Sequence, residues 1–109
     1  MKTHLLEKDI QRQIVDYLRL KKIYCWVNKT TGTFDPIKQI YRAGTTFKGV
    51  SDILGILPGG KFLAIEVKMG HNTASPEQKD FIENINQKGG LAFIAYSLDE
   101  VIKVLKELK

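Results

Sequence analysis

The chain has 109 residues, a size that suits one folded domain with a hydrophobic core, and we expect residues 1–109 to form a single domain. Its content of 43% hydrophobic and 27% charged residues is typical of globular proteins. The net charge of +5 favours a polyanionic partner such as a nucleic acid. The single cysteine, Cys25, excludes an internal disulfide and a zinc site built from several cysteines.

The sequence carries no mark of secretion or of membrane insertion. No apolar stretch approaches the length of a membrane span, and the first residues become charged too soon for a secretory signal. We therefore expect a cytoplasmic protein, in a bacterium or a phage-infected cell, with no membrane partner.

The first half of the chain predicts a helix, a strand and a long loop. Residues 4–22 place apolar side chains at helical spacing, with Glu7 on the first turn. Residues 23–28 are rich in β-branched and aromatic side chains and predict a strand, in which Trp26 is expected to lie in the core. Residues 29–49 predict a long loop with a brief extended stretch at 39–42, and loops of this length are usually functional or mobile.

A β-hairpin is predicted next. Residues 50–57 and 61–68 are mostly apolar, and Pro58-Gly59-Gly60 separates them. Proline presets one backbone dihedral and glycine admits positive ones, so this tripeptide is typical of a tight turn. If the loop holds three residues, or five, Asp52 lies directly opposite Glu66 and the two Cβ atoms are about 4.5 to 5.5 Å apart.

Side chains alternate along a strand, so Lys68 shares a face with Glu66, while Leu63, Ile65 and Val67 share the other face. Two carboxylates and an ammonium group therefore converge on one side of an otherwise apolar hairpin.

The end of the chain predicts a helix, a strand and a last helix. Ser75-Pro76-Glu77-Gln78 combines an N-cap serine, a proline at the first helical position and a glutamine three residues after the cap, and Gly89-Gly90 ends this helix. Residues 91–96 form a continuous apolar run that predicts a strand buried on both faces. Ser97 then caps a final helix, whose lysines Lys103, Lys106 and Lys109 complement the helix dipole. The predicted order is αβββαβα.

The cluster of Asp52, Glu66 and Lys68 is costly in an apolar sheet. Two neighbouring carboxylates repel each other unless one is protonated or a cation lies between them. Oxygen ligands with positions left for water and phosphate are typical of a Mg²⁺ or Mn²⁺ site, which serves phosphodiester chemistry. The alternative is a solvated pair of Glu66 and Lys68 on an exposed strand, with Asp52 merely at the start of its own strand.

These residues resemble the PD-(D/E)xK restriction-endonuclease-like nucleases, and within them the virus-type replication-repair nuclease (VRR-NUC) family. The resemblance extends over nearly the whole chain and rests on Glu7, Gly49-Val50-Ser51-Asp52, Ile65-Glu66-Val67-Lys68 and Ser75-Pro76-Glu77-Gln78. It implies an α/β fold with an αβββαβ core, an additional C-terminal helix and a mixed central sheet flanked by helices. The chain departs from the family name at Ser51, where a proline is expected before the aspartate.

The resemblance also implies roles for the clustered residues. Asp52 and Glu66 would bind Mg²⁺ or Mn²⁺, with the main-chain carbonyl of Val67 as a further ligand. Lys68 would hold the attacking water or offset the charge that develops in the transition state.

Two further residues have alternative interpretations. Glu7 would complete the metal site from the first helix, or it is simply a favourable acidic residue near a helix N-terminus. Gln78 would orient the site, or it serves only as the helix cap, and we treat these two roles of its side chain as exclusive.

For DNA contact, the candidates are basic residues in and beside the long loop, although scattered lysines are more often solvated surface. These candidates are Lys29, Lys38, Arg42 and Lys48. Small members of the family resemble homodimeric resolvases of four-way DNA junctions, so we expect a metal-dependent endonuclease acting on branched DNA as a homodimer. The alternatives are a flap-cleaving or nicking repair nuclease and a DNA-binding module without catalysis.

Overall fold

A computed structural model describes residues 5–29, 33–35, 37, 40–42 and 47–108. In these residues a first helix is followed by five strands, a second helix, a sixth strand and a third helix. The elements are α1 (Glu7–Leu20), β1 (Tyr24–Val27), β2 (Thr33–Asp35), β3 (Ile40–Arg42), β4 (Ile53–Ile56), β5 (Phe62–Val67), α2 (Pro76–Gln87), β6 (Leu91–Ala95) and α3 (Leu98–Lys106). None of these helices has the length and apolarity needed to cross a membrane.

The central sheet has four strands in the order β1-β4-β5-β6. The pairs β1/β4 and β4/β5 are antiparallel, whereas β5 and β6 are parallel and α2 forms the crossover between them. The predicted α/β class, the mixed sheet and the αβββαβα order of its elements are therefore confirmed.

The segment predicted as a long loop contains a second, two-stranded antiparallel sheet of β2 and β3. The expected extended stretch corresponds to β3, but β2 was not predicted. Strands of three residues are too short to produce a recognisable alternation of polar and apolar side chains.

The larger hydrophobic core lies between the sheet and the helices α1 and α3. Helix α1 contributes Ile10, Ile14, Val15 and Leu18, which are at most 5% exposed. Their contacts include the inward residues of β4 and β5 and one residue of α3, namely Ile53, Leu63, Ile65, Val67 and Val101. We call this side of the sheet the α1/α3 face.

The opposite side of the sheet, the α2 face, has a much smaller core. Its fully buried apolar residues are Leu54, Ala64 and Ala92, and partly buried side chains of α2 pack against them. No residue of α2 itself is fully buried. The helix packs on β5 and β6, so it leaves β1 uncovered on this face.

The prediction that Trp26 lies in the core is wrong. Trp26 pairs with Leu54 across β1 and β4 and is 37% exposed, next to Tyr24, which is 71% exposed. The two rings lie 5.7 Å apart between their centroids. Because β1 is an edge strand that α2 does not reach, these aromatic side chains remain at the surface.

Candidate active site

The hairpin of β4 and β5 has the register that brings Asp52 opposite Glu66. The paired residues run from Ile56 with Phe62 to Ile53 with Ile65, and the next position outward is Asp52 with Glu66. The Leu57 N–H donates to the Lys61 carbonyl over 2.8 Å, so the turn between the strands has three residues. Three is one of the two loop lengths that the prediction required.

Hydrogen-bonded and non-hydrogen-bonded pairs alternate along an antiparallel ladder. Since the pair of Leu57 and Lys61 is hydrogen-bonded, Asp52 and Glu66 occupy a non-hydrogen-bonded position, where Cα atoms are only about 4.5 Å apart. The two carboxyl groups are therefore neighbours on the α2 face.

Main-chain contacts hold Asp52 in place. Its Oδ2 accepts a hydrogen bond from the Val67 N–H over 2.8 Å, and its own carbonyl accepts one from the Asn28 N–H over 2.8 Å. The first bond directs the carboxylate toward β5, and the second joins the end of β1 to the start of β4.

Glu66 is a buried carboxyl group with an unequal environment around its two oxygens. The residue is 2% exposed. Its Oε2 accepts a hydrogen bond from Gln78 Nε2 over 3.1 Å and lies 3.5 Å from Lys68 Nζ. Its Oε1 is buried and has no hydrogen-bond partner among the described residues. An unpartnered buried oxygen of this kind is suited to a proton or to a cation.

The pKa of Glu66 is raised to about 8, first by burial and then by the charge and hydrogen bond of the neighbouring Asp52, while Lys68 acts in the opposite direction. Without a cation, Glu66 is therefore protonated in neutral solution. This is one of the two ways in which adjacent carboxyl groups avoid repulsion, and a bound cation is the other.

Gln78 caps α2 and contacts Glu66 at the same time. Its Oε1 accepts from the Ser75 N–H over 2.9 Å, and its own N–H donates to Ser75 Oγ over 3.2 Å. Its Nε2 meanwhile donates to Glu66. The two contacts use different atoms of the amide, an acceptor at one end and a donor at the other, so the cap does not exclude a contact with Glu66. The role of Gln78 in orienting the site stays a prediction.

Gly49 allows α2 to approach the site, a role that the sequence reasoning did not assign. Its φ is +87°, and a Cβ atom at this position would lie 2.3 Å from the carbonyl oxygen of Glu77. Only glycine fits so close to the first turn of α2. The position of Gly49 three residues before Asp52 is the sequence signal from which this role could have been found.

The Val67 carbonyl and Glu7 differ in how the fold places them. The Lys68 N–H bonds to β6, whereas the Val67 N–H points to Asp52, so the Val67 carbonyl points to the Asp52 side as well. Glu7 is exposed on the first turn of α1. Nowhere in the described ranges do three His, Cys, Asp or Glu side chains form a group that could hold a metal. The role of Glu7 stays a prediction.

The candidate DNA contacts are described only in part. Lys29 and Lys48 are exposed. Lys38 lies outside the described residues, and for Arg42 the structure describes the backbone in β3 but not the side chain. The proposed contact of these residues with DNA stays a prediction.

Comparison with known proteins agrees with this fold. Among solved structures, one titled "VRR_NUC domain protein" has a TM-score of 0.68 and 23% identity over 97% of this chain and 89% of its own length, which shows a shared fold. No curated protein sequence matches the chain. The model of the VRR-NUC domain matches residues 5–99. The chain therefore belongs to the VRR-NUC domain family and has a nuclease-type fold.

Proposed function

We propose that this protein is a Mg²⁺- or Mn²⁺-dependent endonuclease that hydrolyses phosphodiester bonds in branched DNA and acts as a homodimer. The observation that carries the proposal is the buried, unpartnered Oε1 of Glu66 beside the carboxylate of Asp52 and the ammonium group of Lys68. A solvated surface pair of Glu66 and Lys68 does not fit a glutamate that is 2% exposed.

The donor set fits a hard divalent cation. Asp52 and Glu66 offer carboxylate oxygens, the Val67 carbonyl points to the same side, and hard cations prefer oxygen ligands. When bound, such a cation polarises a phosphodiester and makes a water molecule more acidic. Two carboxylates leave most coordination positions to water and substrate, as phosphoryl chemistry requires.

The chain's own residues have separate tasks in this proposal. Lys68 Nζ lies 3.5 Å from Glu66 Oε2 and its side chain is 15% exposed, so it can reach substrate while it stays beside the carboxylates. There it orients the attacking water or offsets negative charge on the phosphate. Gln78 fixes the orientation of Glu66 by its hydrogen bond to Oε2.

Separate arguments support DNA as the substrate and a homodimer that acts on branched DNA. The nuclease-type fold and the net charge of +5 favour DNA. A homodimer with two sites related by a twofold axis suits the symmetry of a four-way junction. A flap or nicking nuclease is the alternative enzyme. A DNA-binding module without catalysis is disfavoured, because adjacent carboxyl groups repel phosphate and serve binding poorly.

A cleavage assay with three substrates tests the proposal. The protein is incubated with a four-way junction, a flap and a linear duplex, each in Mg²⁺, in Mn²⁺ and in EDTA. We expect paired, symmetric nicks in the junction with either metal and no cleavage in EDTA. Cleavage of flaps alone supports the repair nuclease, and binding without cleavage in any metal supports the binding module.

Matched variants connect any cleavage to the site. Asp52→Ala and Lys68→Ala should lower the cleavage rate by at least about 10²-fold, because each removes a group that stabilises the transition state. Lys61→Ala is the control, since Lys61 is an exposed lysine at the other end of the same strand. A fully active Lys68→Ala protein would remove Lys68 from the mechanism.

A further inference from the structure

A groove with several basic side chains runs along α1, whose inner side packs on the α1/α3 face. Its volume is about 400 Å³. The residues that line it are Lys8, Gln11, Arg12, Val15, Asp16, Arg19 and Val27. We call it the α1 groove. None of its basic residues was among the candidate DNA contacts predicted from sequence.

One end of the α1 groove lies beside the end of β1, which is bonded to the start of the Asp52 strand. A short turn separates α1 from β1, so the two elements run antiparallel and the first turns of α1 lie beside the end of β1. Val27, the last residue of β1, accordingly lines the groove. The next residue, Asn28, donates its N–H to the Asp52 carbonyl over 2.8 Å. The groove therefore leads to the strand ends that hold the carboxyl groups.

Among the described residues, the basic side chains at this end have no carboxylate partner. Lys8 and Arg12 are exposed, and no carboxylate in the described part of the chain lies within 4.0 Å of either. Asp16 also lines the groove, but three cationic side chains outnumber it. Lys8 and Arg19 are separated by about 16 Å along the helix axis. On one strand of duplex DNA that length spans about five phosphates.

The outer surface of α2 has the opposite charge. Its exposed residues include Glu77, Asp80 and Glu83, against the single cation of Lys79. A DNA arm that enters the candidate active site would be repelled along α2 and attracted by the cationic side chains that line the α1 groove.

We propose that the α1 groove binds the sugar-phosphate backbone of a DNA arm and leads it to the candidate active site. The inference rests on the proposed nuclease function and adds the surface that holds the substrate. Lys8 and Arg12 contact phosphates nearest the site, and Arg19 contacts the backbone farther along the same arm. These contacts do not depend on base sequence, because the groove offers charge to the backbone.

A salt titration of binding tests this inference. The double variant Lys8→Ala/Arg12→Ala is compared with the wild type for affinity to a labelled DNA duplex in EDTA, over a range of KCl concentrations. Each phosphate contact contributes about 0.9 to the slope of log K against log salt, so the variant's slope should be smaller by about 2. The control Lys103→Ala/Lys106→Ala removes the same charge from the exposed side of α3 and should keep the wild-type slope.

A variant that is expected to raise the DNA affinity strengthens the test. Asp16→Asn removes the carboxylate that lines the groove, so DNA affinity should rise. Circular dichroism checks that every variant is folded. If the alanine double variant does not fold, Lys8→Gln/Arg12→Gln replaces it in the salt titration. A folded double variant with the wild-type slope would overturn the assignment of the groove to DNA.

The two proposals fail in different ways. If the wild type never cleaves DNA while the Lys8→Ala/Arg12→Ala variant shows the smaller salt slope, the nuclease function fails and the groove assignment stands. If the wild type cleaves and the variant binds DNA with unchanged affinity and slope, the groove assignment fails and the nuclease function stands.

Discussion

The two faces of the central sheet differ in composition and in what holds them together. On the α1/α3 face, Ile14 and Leu18 of α1 meet Leu63 and Ile65 of β5, and all four are fully buried. On the α2 face, the buried apolar cluster has only three residues, and the charged side chains of Glu66 and of Lys68, which follows β5, point to this side. Adjacent residues of one strand thus serve either the core or the candidate active site.

The polar contacts at the start of α2 help to compensate for its thin core. Ser75 caps the helix, Gly49 allows close approach of its first turn, and Gln78 connects it to Glu66. A buried carboxyl group needs partners, and a helix seated by polar contacts provides them. The larger apolar core therefore lies against α1 and α3, whereas α2 supplies the environment of Glu66.

The largest expected effect on stability comes from a comparison of one isoleucine of α1 with one isoleucine of α2. Ile14→Ala removes a fully buried side chain of α1 and should lower the free energy of unfolding by about 3 to 5 kcal/mol. Ile82→Ala removes a partly buried side chain of α2 and should cost about 1 to 2 kcal/mol. Urea titration followed by circular dichroism measures both. Equal losses would contradict the unequal division of the core.

The features of the fold that the sequence predicts well are the local ones. Pro58-Gly59-Gly60 determines the turn, and the turn determines that Asp52 lies opposite Glu66. Ser75 and Gln78 likewise determine where α2 begins, because their capping box lies within four adjacent residues of the chain.

The features that sequence reasoning missed depend on contacts between distant elements. The exposure of Trp26 follows from the position of β1 at the sheet edge and from the extent of α2, which no local pattern encodes. The simultaneous contact of Gln78 with Ser75 and Glu66 became visible only when the fold placed its Nε2 3.1 Å from Glu66, a residue of another element.

The second prediction concerns the pH dependence of stability in the absence of metal. Glu66 has a pKa of about 8 in the folded protein against an ordinary value of 4.5, so the folded state binds the proton more tightly than the unfolded state. The stabilisation is complete below the lower value and is lost as the pH rises through the higher one. The metal-free wild type should therefore lose on the order of a few kcal/mol between pH about 5 and about 8.

Glu66→Gln checks this cause directly. The neutral amide cannot lose a proton, so the thermal midpoint of the metal-free variant should fall much less over the same pH range. Mn²⁺ binds the charged carboxylate, so it should raise the thermal midpoint of the wild type most at alkaline pH and have little effect on the variant. If the thermal midpoints of the two proteins changed with pH in the same way, Glu66 would not be the cause of the pH dependence of the stability.

The third prediction separates the two roles of Gln78. Gln78→Ala removes the cap contact and the hydrogen bond to Glu66, and it should cost about 1 to 2 kcal/mol. Gln78→Glu keeps an acceptor for the Ser75 N–H but loses the donor to Glu66 and adds a negative charge beside it.

If the contact with Glu66 matters for catalysis, the acidic limb of the rate profile of Gln78→Glu should move to higher pH, because the added charge raises the pKa of Glu66. Ser75→Ala weakens the cap and leaves Glu66 alone, so it serves as the control. An unshifted rate profile would limit Gln78 to the helix cap.

The smallest expected effect concerns Ser51, a polar residue on the apolar side. Strand alternation places it with Ile53 on the α1/α3 face, it is fully buried, and its hydroxyl has no hydrogen-bond partner among the described residues. An unpaired buried hydroxyl is unfavourable, so Ser51→Ala should raise the free energy of unfolding by about 1 kcal/mol in urea titration. The activity should persist, because Asp52 keeps its hydrogen bond from the Val67 N–H. A loss of stability would instead mean that the hydroxyl has a partner, such as an ordered water, and that the α1/α3 face contains a polar contact near the site.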